Sequence, residues 1–343
     1  MATLADIAKR ANVSVATVSR ALNHSGYVRP EVRERVLQIA RELHYVPNHL
    51  ARGLLENRTD LVLLLVPDVT NPFFAAVARG VEDVLAAQGL QVVIGNTDDN
   101  HFKERTYLRR ALGRGVDGVI AIVASSASAD TGHFRQLNVP LVLVDRACEA
   151  VAADLVASNN EHGAYQATRH LLSLGHQHVA TITGPLRLKT AADRLAGFER
   201  AVREYRLSPD QVTVVEGDFR EEGGYRAARQ LLERSPRPTA VFAANDVMAL
   251  GALAAFEEAG VRVPEEIAVA GYDDIPYAVR VRPKLTTVAQ PKYEMGAAAA
   301  ELMVRRLSDP GRAVERVLLE PRVVVRESSV VRTNQPSEGK LPS

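Results

Sequence analysis

The chain lacks the residues that mark several common protein classes. It has one cysteine, Cys148, among 343 residues, and it has no tryptophan. A single cysteine cannot form an internal disulfide, which is typical of proteins from a reducing compartment. No apolar run is long enough to cross a bilayer, and the first ten residues lack the apolar core of a signal peptide. We therefore expect a cytoplasmic protein with no membrane contact.

Charge is nearly balanced overall but unevenly distributed along the chain. The 42 basic and 41 acidic side chains give a formal net charge of +1. Residues 1–59 hold nine basic and five acidic side chains, so the remainder is slightly acidic. A basic N-terminal segment on an acidic body suggests a polyanionic partner for that segment. An ordinary charged helical surface would give the same count, so charge alone leaves both interpretations open.

The first 46 residues have the pattern of three short helices. Thr3 precedes an apolar stripe with helical spacing, Ser14 precedes a second stripe, and Pro30 fits the first turn of a third helix. Two short helices joined by a tight turn, together with a third helix, make a helix-turn-helix unit.

The outward side of the second helix suits the major groove of DNA. It carries small side chains, hydroxyls and one long cation, at Ala16, Thr17, Ser19 and Arg20. Small residues let a helix lie deep in the groove, hydroxyls bind phosphate oxygens, and arginine can form two hydrogen bonds with guanine. A plain helical bundle could also have such a surface, although it would have no reason to avoid Lys, Glu and Gln there.

Motifs in this region resemble the head of the LacI/GalR repressors. The resembling segments are 3–8 (TLADIA), 13–23 (VSVATVSRALN), 43–48 (LHYVPN) and 51–54 (ARGL), and the likeness runs to about residue 329. The resemblance implies base-edge contacts for Val15, Ala16 and Arg20. It implies phosphate or backbone contacts for Ser14, Thr17, Ser19, Asn23 and Asn48. It also implies that Leu54 enters the minor groove at the operator centre, and Thr3, Tyr27 and Arg52 complete the predicted DNA-binding set.

Residues 47–59 have the composition of a conditional hinge. The helix-permissive segment 48–55 is too short for a stable isolated helix in water, and Gly53 weakens it further. We expect it to be loose in the free protein and to fold when two copies bind DNA. An interdomain linker is the alternative interpretation.

From residue 61 the pattern changes to strands alternating with helices. Strands are predicted over 61–66, 91–95, 119–123, 141–145, 179–183, 212–216, 240–244 and 267–271. Helices are predicted over 73–88, 101–114, 164–174, 191–204, 222–234 and 246–259. This alternation predicts parallel sheets with helices on both faces, and two such sets in tandem predict two doubly wound lobes.

The expected fold is an all-α helix-turn-helix head followed by an α/β body that resembles periplasmic sugar-binding proteins. The predicted domains are a DNA-binding domain (1–46), a hinge (47–59) and a two-lobed effector-binding and dimerisation domain (60–329). Lobe 1 is expected at about 60–160 and 290–320, and lobe 2 at about 161–289 and 321–329. The polar tail over 333–343 is expected to be disordered.

Side chains directly after the predicted strands are the candidates for ligand binding, because ligands of open parallel sheets bind beyond the carboxyl ends of the strands. Asp, Asn, Arg, Thr and Phe there suit a sugar, whose hydroxyls donate and accept hydrogen bonds and whose C–H face packs on a ring. The predicted effector-binding residues are Asn71, Phe73, Phe74, Asp145, Thr190, Arg194, Phe219, Asn245, Asp246, Asp273 and Gln290. For any one Asp or Asn, capping of the following helix is an equal alternative.

The family resemblance adds weight to Arg194 and Asp246, because members contact their effectors from the matching positions. Segments 70–74, 216–219 and 290–292 look most like the ribose-type members. Purine-binding members have an arginine in the segment where Leu188 stands. The resemblance therefore favours a pentose-like sugar over a purine.

We expect a ligand-controlled transcription regulator, a repressor that binds a pseudo-palindromic operator in double-stranded DNA as a homodimer. One alternative is a sugar-binding receptor module without DNA function, and another is an enzyme acting on a sugar phosphate or nucleotide. An activator role also stays open, because it depends on promoter geometry. The G-x-G-x-x-G over 113–118 closes a predicted helix instead of opening one, and His176 and His178 gather no further metal ligands. We expect no cofactor, no metal and no catalysis.

Overall fold

The computed structural model describes residues 2–22, 25–45, 59–113, 115–127, 131–148 and 151–330, and the structural statements below concern these residues. The chain forms two compact units, residues 1–59 and residues 60–343. No helix in the described ranges is both long enough and apolar enough to cross a membrane.

The first unit has three helices, α1 (Leu4–Ala11), α2 (Val15–Leu22) and α3 (Pro30–Glu42). Thr3 caps α1 in a capping box with Asp6, and the Ser14 hydroxyl accepts the Thr17 N–H at 3.1 Å at the start of α2. Pro30 occupies the first turn of α3. The predicted starts of all three helices are therefore confirmed. Their shared core contains Ile7, Ala8, Ala11, Val18, Ala21, Val28, Val36 and Ala40.

The second unit contains two six-stranded sheets. Sheet A has the order β11-β5-β4-β3-β1-β2. Its strands are β1 (Leu61–Val66), β2 (Gln91–Asn96), β3 (Gly118–Ala121), β4 (Leu141–Val144), β5 (Asp154–Ser158) and β11 (Arg316–Leu319), all paired in parallel. Helices α4 (Pro72–Ala87), α5 (His101–Leu112) and α10 (Lys292–Ser308) accompany this sheet.

Sheet B has the order β12-β10-β9-β8-β6-β7. Its strands are β6 (Val179–Thr183), β7 (Val212–Glu216), β8 (Ala240–Ala243), β9 (Ala268–Asp273), β10 (Thr286–Ala289) and β12 (Arg322–Val324). Only the pairing of β12 with β10 is antiparallel among the described strands. Helices α6 (Asn160–Ser173), α7 (Lys189–Glu204), α8 (Glu221–Leu232) and α9 (Asp246–Glu258) accompany this sheet. The predicted fold class is confirmed.

The chain crosses between the two sheets three times. The crossings lie between β5 and α6, between β10 and α10, and between β11 and β12. The first and third crossings are hydrogen-bonded to each other. Asn159 donates from its backbone N to the Leu319 carbonyl at 2.9 Å and from Nδ2 to Glu320 Oε1 at 3.0 Å.

Helices α4 and α10 approach each other closely because glycine faces backbone on both sides. A Cβ at Gly80 would lie 2.1 Å from the Tyr293 carbonyl oxygen, and a Cβ at Gly296 would lie 2.0 Å from that of Val77. Any larger residue would force the helices apart. The contact fixes α4, whose first turn carries Phe73 and Phe74, against α10.

The eight predicted strands and six predicted helices are all present, with ends that differ by a few residues. Strands β5, β10, β11 and β12 and helix α10 were not among the predicted elements. Each of the four strands is part of one of the two six-stranded sheets.

Candidate functional site

Most described residues of the predicted DNA-binding set lie on or directly before α2. Val15 is 46% exposed and Tyr27, beyond the helix, is 85% exposed, whereas Val18 on the same helix is fully buried. Ser14, Ala16 and Arg20 are exposed, Thr17 and Ser19 are half-buried, and Thr3 is exposed ahead of α1. Asn23, Asn48, Arg52 and Leu54 lie outside the described residues.

Two of these hydroxyls also serve the helices. Thr3 Oγ1 accepts the Asp6 N–H at 3.3 Å, and Ser14 Oγ accepts the Thr17 N–H at 3.1 Å. Helix capping therefore accounts for both hydroxyls, and the DNA contacts of Thr3 and Ser14 stay a prediction.

A cleft lies at the carboxyl ends of strands from both sheets. From the sheet A side it is lined by Asp68, Asn71, Phe73, Phe74, Asp99, Asp145 and Arg146. From the sheet B side it is lined by Thr190, Arg194, Asp218, Phe219, Arg220, Asn245 and Asp273. Nine of the eleven predicted effector-binding residues are thus brought together in one cleft.

Both buried arginines of the cleft are partly neutralised. Arg146 Nη1 donates to Asp99 Oδ1 and, at 3.0 Å, to the Val123 carbonyl. Arg194 donates from Nε to Asn160 Oδ1 at 2.8 Å and from Nη1 to the Ala244 carbonyl at 2.6 Å. Nη1 of Arg194 also lies 3.7 Å from Asp273 Oδ1. Within the described residues, Nη2 of each guanidinium has no hydrogen bond, so each retains a donor for a ligand.

Asp145 presents an unsatisfied acceptor. Its side chain is buried, and Oδ1 has no hydrogen-bond partner among the described residues. The residue has φ +63°, which is uncommon outside glycine. Burial raises the pKa of the carboxyl group, against the opposing effect of Arg194 and Arg146. A buried polar atom without a partner costs about 1–3 kcal/mol, which a ligand hydroxyl would recover.

Asp273 is the corresponding carboxylate on the sheet B side. Burial raises its pKa to about 6, and Arg194 and the Gln290 amide partly offset that rise. Its φ is +112° and that of Asp274 is +53°, so two consecutive residues have left-handed backbone. Such conformations cost about 1–3 kcal/mol each and cluster at functional sites.

Two aromatic groups form the apolar part of the cleft. Phe73 and Phe74 meet edge to face with ring centroids 5.1 Å apart. Phe219 lies opposite, with φ +65° and its ring centroid 5.8 Å from the Arg194 guanidinium carbon. Rings on both sides of a small polar cleft suit a flat ligand with C–H faces.

Asn71 and Asn245 both line the cleft and cap helices. Asn71 Oδ1 accepts the Phe73 N–H at 3.0 Å, and Asn245 Oδ1 accepts the Met248 N–H at 2.9 Å. Asn245 Nδ2 also donates to the Phe219 carbonyl at 3.0 Å, which fixes the Phe219 loop. Capping and a place in the cleft are therefore compatible for these residues.

Asp246 and Gln290 differ from the prediction, because neither lines the cleft. Asp246 is fully buried and accepts from the Ile275 N–H at 2.9 Å and the Thr287 hydroxyl at 2.5 Å. Burial raises the pKa of this carboxyl well above its usual range, and Asp273 adds to the effect. As the first residue of α9, Asp246 turns inward against Gly271, whereas Asn245 before it faces the cleft. Gln290 lies behind Asp273 and donates to its Oδ1 at 2.7 Å.

The prediction omitted five residues that line the cleft. They are Asp68, Arg146 and Asp218, which directly follow or lie near predicted strand ends, together with Asp99 and Arg220. The strand-end rule itself would have found Asp99, because Thr97 to Asp99 follow β2. In total the lining has five aspartates and three arginines, an acidic surplus that disfavours an anionic ligand.

Within the described residues no group of three or more His, Cys, Asp or Glu side chains is arranged to hold a metal ion. The chemistry that the cleft offers is reversible binding, with acceptors from Asp145 and Asp273, donors from Arg146 and Arg194, and ring faces from phenylalanine.

Two family models match the chain. The model described as "Bacterial regulatory proteins, lacI family" matches residues 3–48, and "Periplasmic binding protein-like domain" matches residues 168–329. The ribose operon repressor of Halalkalibacterium halodurans is 40% identical over 329 residues, 96% of this chain and 97% of that protein. The HTH-type transcriptional repressor PurR of Photobacterium profundum is 36% identical over 330 residues, 96% of this chain and 98% of that protein.

Solved structures of LacI family regulators are also similar to this chain. A LacI family transcriptional regulator from Enterococcus faecium with bound ribose matches with a TM-score of 0.72 and 34% identity, covering 78% of this chain and 98% of that chain. The lac repressor dimer bound to operator and the anti-inducer ONPF matches with a TM-score of 0.85 and 28% identity, covering 96% and 99%.

Proposed function

The chain belongs to the LacI family of bacterial regulatory proteins, and from that membership we propose that its effector is a neutral, pentose-like sugar bound in the cleft. The chain is a ligand-responsive, DNA-binding transcriptional repressor that acts as a homodimer on operator DNA. A receptor module without DNA function is therefore excluded. The main support for a sugar ligand is the buried Asp145 oxygen, which has no hydrogen-bond partner and lines the cleft together with partly neutralised arginines.

A neutral polyol suits this balance of charge. Asp145 and Asp273 supply acceptors from opposite sides of the cleft, while the remaining Nη2 donors of Arg146 and Arg194 supply the complementary hydrogen bonds. A phosphate or carboxylate would meet five aspartates for three arginines and would be disfavoured. The phenylalanine rings would stack on the C–H faces of a small sugar ring.

A purine base is the second candidate, because the PurR relatives are nearly as similar as the ribose operon repressor. Recognition of a base edge by Leu188 is impossible, since this side chain is apolar and fully buried. The missing donor supports the sugar over the purine.

We further propose that the cleft binds its ligand without turnover, in keeping with relatives that are repressors and not enzymes. A cytoplasmic location follows from the same role, because a bacterial operator lies in the cytoplasm. The domain boundaries at 46, 59 and 329, the hinge role of Asn48, Arg52 and Leu54, and the base and phosphate contacts of α2 belong to the same proposal. Its support is the exposure of α2 and the family match over residues 3–48.

The test combines operator selection with ligand titration on the full-length protein. A duplex is first selected from a random pool, and its affinity is then measured with D-ribose, D-glucose, ribose 5-phosphate and hypoxanthine. We expect D-ribose alone to change operator affinity by about 5–150-fold, the usual range of allosteric coupling. A response to hypoxanthine and to no sugar would replace the proposed effector by a purine. If the ribose 5-phosphate response exceeds that of D-ribose, the argument from neutrality is wrong.

A further inference from the structure

One backbone turn lies between the cleft and the chain crossing that leads from sheet B into sheet A. The turn is Asp273–Asp274 at the end of β9, and the crossing runs through Gln290 to Lys292, the first residue of α10. Lys292 donates from Nζ to the Asp273 carbonyl at 2.6 Å and to the Asp274 carbonyl at 3.0 Å. The carboxylate of Asp273 lines the cleft, where its Oδ1 lies 3.7 Å from Nη1 of Arg194.

The turn is held in a conformation that its residues do not favour. Asp273 and Asp274 have φ values of +112° and +53°, and neither is glycine. Strained backbone of this kind persists only where its surroundings hold it in place. The ammonium group of Lys292 bonds both carbonyls of the strained pair, so it is a principal part of that hold. The Arg326 Nη2 bond to Asp274 Oδ1 at 2.7 Å anchors the turn to sheet B from the opposite side.

Lys292 begins helix α10, which accompanies sheet A, although its side chain binds a turn of sheet B. Helix α10 packs against α4, and glycines 80 and 296 bring the two helices into backbone contact. Helix α4 carries Asn71, Phe73 and Phe74 into the cleft. Helix α10 therefore connects the turn to the helix that lines the other wall of the cleft.

We propose that Lys292 is a positioning residue that couples occupancy of the cleft to the relative orientation of the two sheets, and through it to operator affinity. The inference rests on the proposed function of the cleft. A ligand that accepts a hydrogen bond from Arg194 and donates one to the Asp273 carboxylate changes the contacts that hold the strained turn. Lys292 transmits that change to the first turn of α10, to which the turn is directly hydrogen-bonded.

The test is the substitution Lys292→Met, which removes the ammonium donor and leaves an unbranched side chain one atom shorter. In the full chain, the ratio of operator affinities with saturating D-ribose and without it is expected to fall to below about twofold, at whatever D-ribose affinity the variant retains. Lys292→Arg keeps donors for both carbonyls and should restore part of the ratio. Lys284→Met removes another half-buried lysine of the same unit and should leave the ratio unchanged. An unchanged ratio in Lys292→Met overturns the proposal.

A second measurement separates this inference from the choice of effector. If D-ribose does not change the operator affinity of the wild type, the pentose proposal fails. The coupling is then still measurable by amide hydrogen exchange without ligand. Arg194→Met perturbs the cleft directly, and it should change exchange in residues 292–296 when Lys292 is present. The same substitution in the Lys292→Met background should leave exchange in that segment unchanged. Equal effects of Arg194→Met in both backgrounds would show that Lys292 transmits nothing.

Discussion

Gly184 lies directly against the ring of Phe219, so closely that a Cβ on Gly184 would stand 2.1 Å from Cζ of that ring. The two residues follow neighbouring strands, β6 and β7, at the edge where the cleft opens. Glycine is needed here for the space it leaves. The position of the Phe219 ring in the cleft thus depends on a residue that does not line the cleft itself.

Gly184→Ala is expected to displace the Phe219 ring and to weaken D-ribose binding by about tenfold or more. Overpacking of this kind also lowers the free energy of unfolding by about 1–3 kcal/mol. Isothermal titration calorimetry and urea denaturation measure the two effects. Gly132→Ala is the control, because a Cβ there meets nothing within 4 Å. Unaltered ribose affinity in Gly184→Ala would remove Phe219 from the binding site.

Asp145→Asn should weaken D-ribose binding by about 10–100-fold, because a hydrogen bond to a charged group contributes about 1.5–3 kcal/mol. The ligand-free protein should be equally stable or more stable, since burial raises the pKa of this carboxyl and its charge is costly inside the protein. Calorimetry and denaturation on the same samples check both parts. Asp210→Asn, at an exposed position, serves as the control. A variant that binds ribose as the wild type does would exclude Asp145 as a ligand acceptor.

The pH dependence of stability should contain a contribution from Asp273. Its pKa is raised by burial to about 6 in the folded protein, against about 3.9 in an unfolded chain. Between these values the folded state binds more protons, so stability falls as the pH rises from about 4 to about 6 and levels off above that. The difference amounts to about 3 kcal/mol.

Urea denaturation of the wild type and Asp273→Asn across pH 4 to 8 isolates this contribution. The wild type should lose stability relative to the variant as the pH rises through that interval. A constant difference between the two proteins would mean that Asp273 titrates normally.

Val15 and Val18 form a matched pair on α2 with opposite exposure. Val15→Ala should change operator sequence preference and leave stability unchanged, because the side chain is 46% exposed. Val18→Ala should lower the free energy of unfolding of the head by about 1–3 kcal/mol, because that side chain is fully buried. Binding to a randomised duplex library and thermal unfolding compare the two variants. Loss of stability in Val15→Ala would show that this residue belongs to the core.

The alternation of apolar runs and helical stripes was sufficient to predict most of the α/β body. Runs such as Leu61–Val66 are buried throughout, and their length separates them from helices. Strands β11 and β12 were missed because they have four and three residues with partly exposed side chains, which leaves no periodic signal. Their pairing depends on strands more than 30 residues away in sequence, and single-sequence patterns carry no such information.

The strand-end rule predicted most of the cleft but could not resolve adjacent residues. Asn245 and Asp246 both follow β8, and either could have faced a ligand. The structure separates them because the helix cap faces the cleft while the first helical residue turns toward Gly271. Side-chain direction at such a junction depends on backbone dihedral angles that composition does not determine. Asp99 follows the edge strand β2, and the predicted set contains no residue from that strand end.

The order of the strands has a consequence for synthesis on the ribosome. Sheet A needs β11 and the cover of α10, so it is incomplete before residue 319 has emerged, and sheet B needs β12, so it is incomplete before residue 324 has emerged. The three helices of the head are complete by residue 42 and have a core of their own. A nascent chain therefore acquires its DNA-reading surface long before it can sense a metabolite. A premature stop codon shortly before β12 should yield a head that still folds, joined to a body that cannot respond.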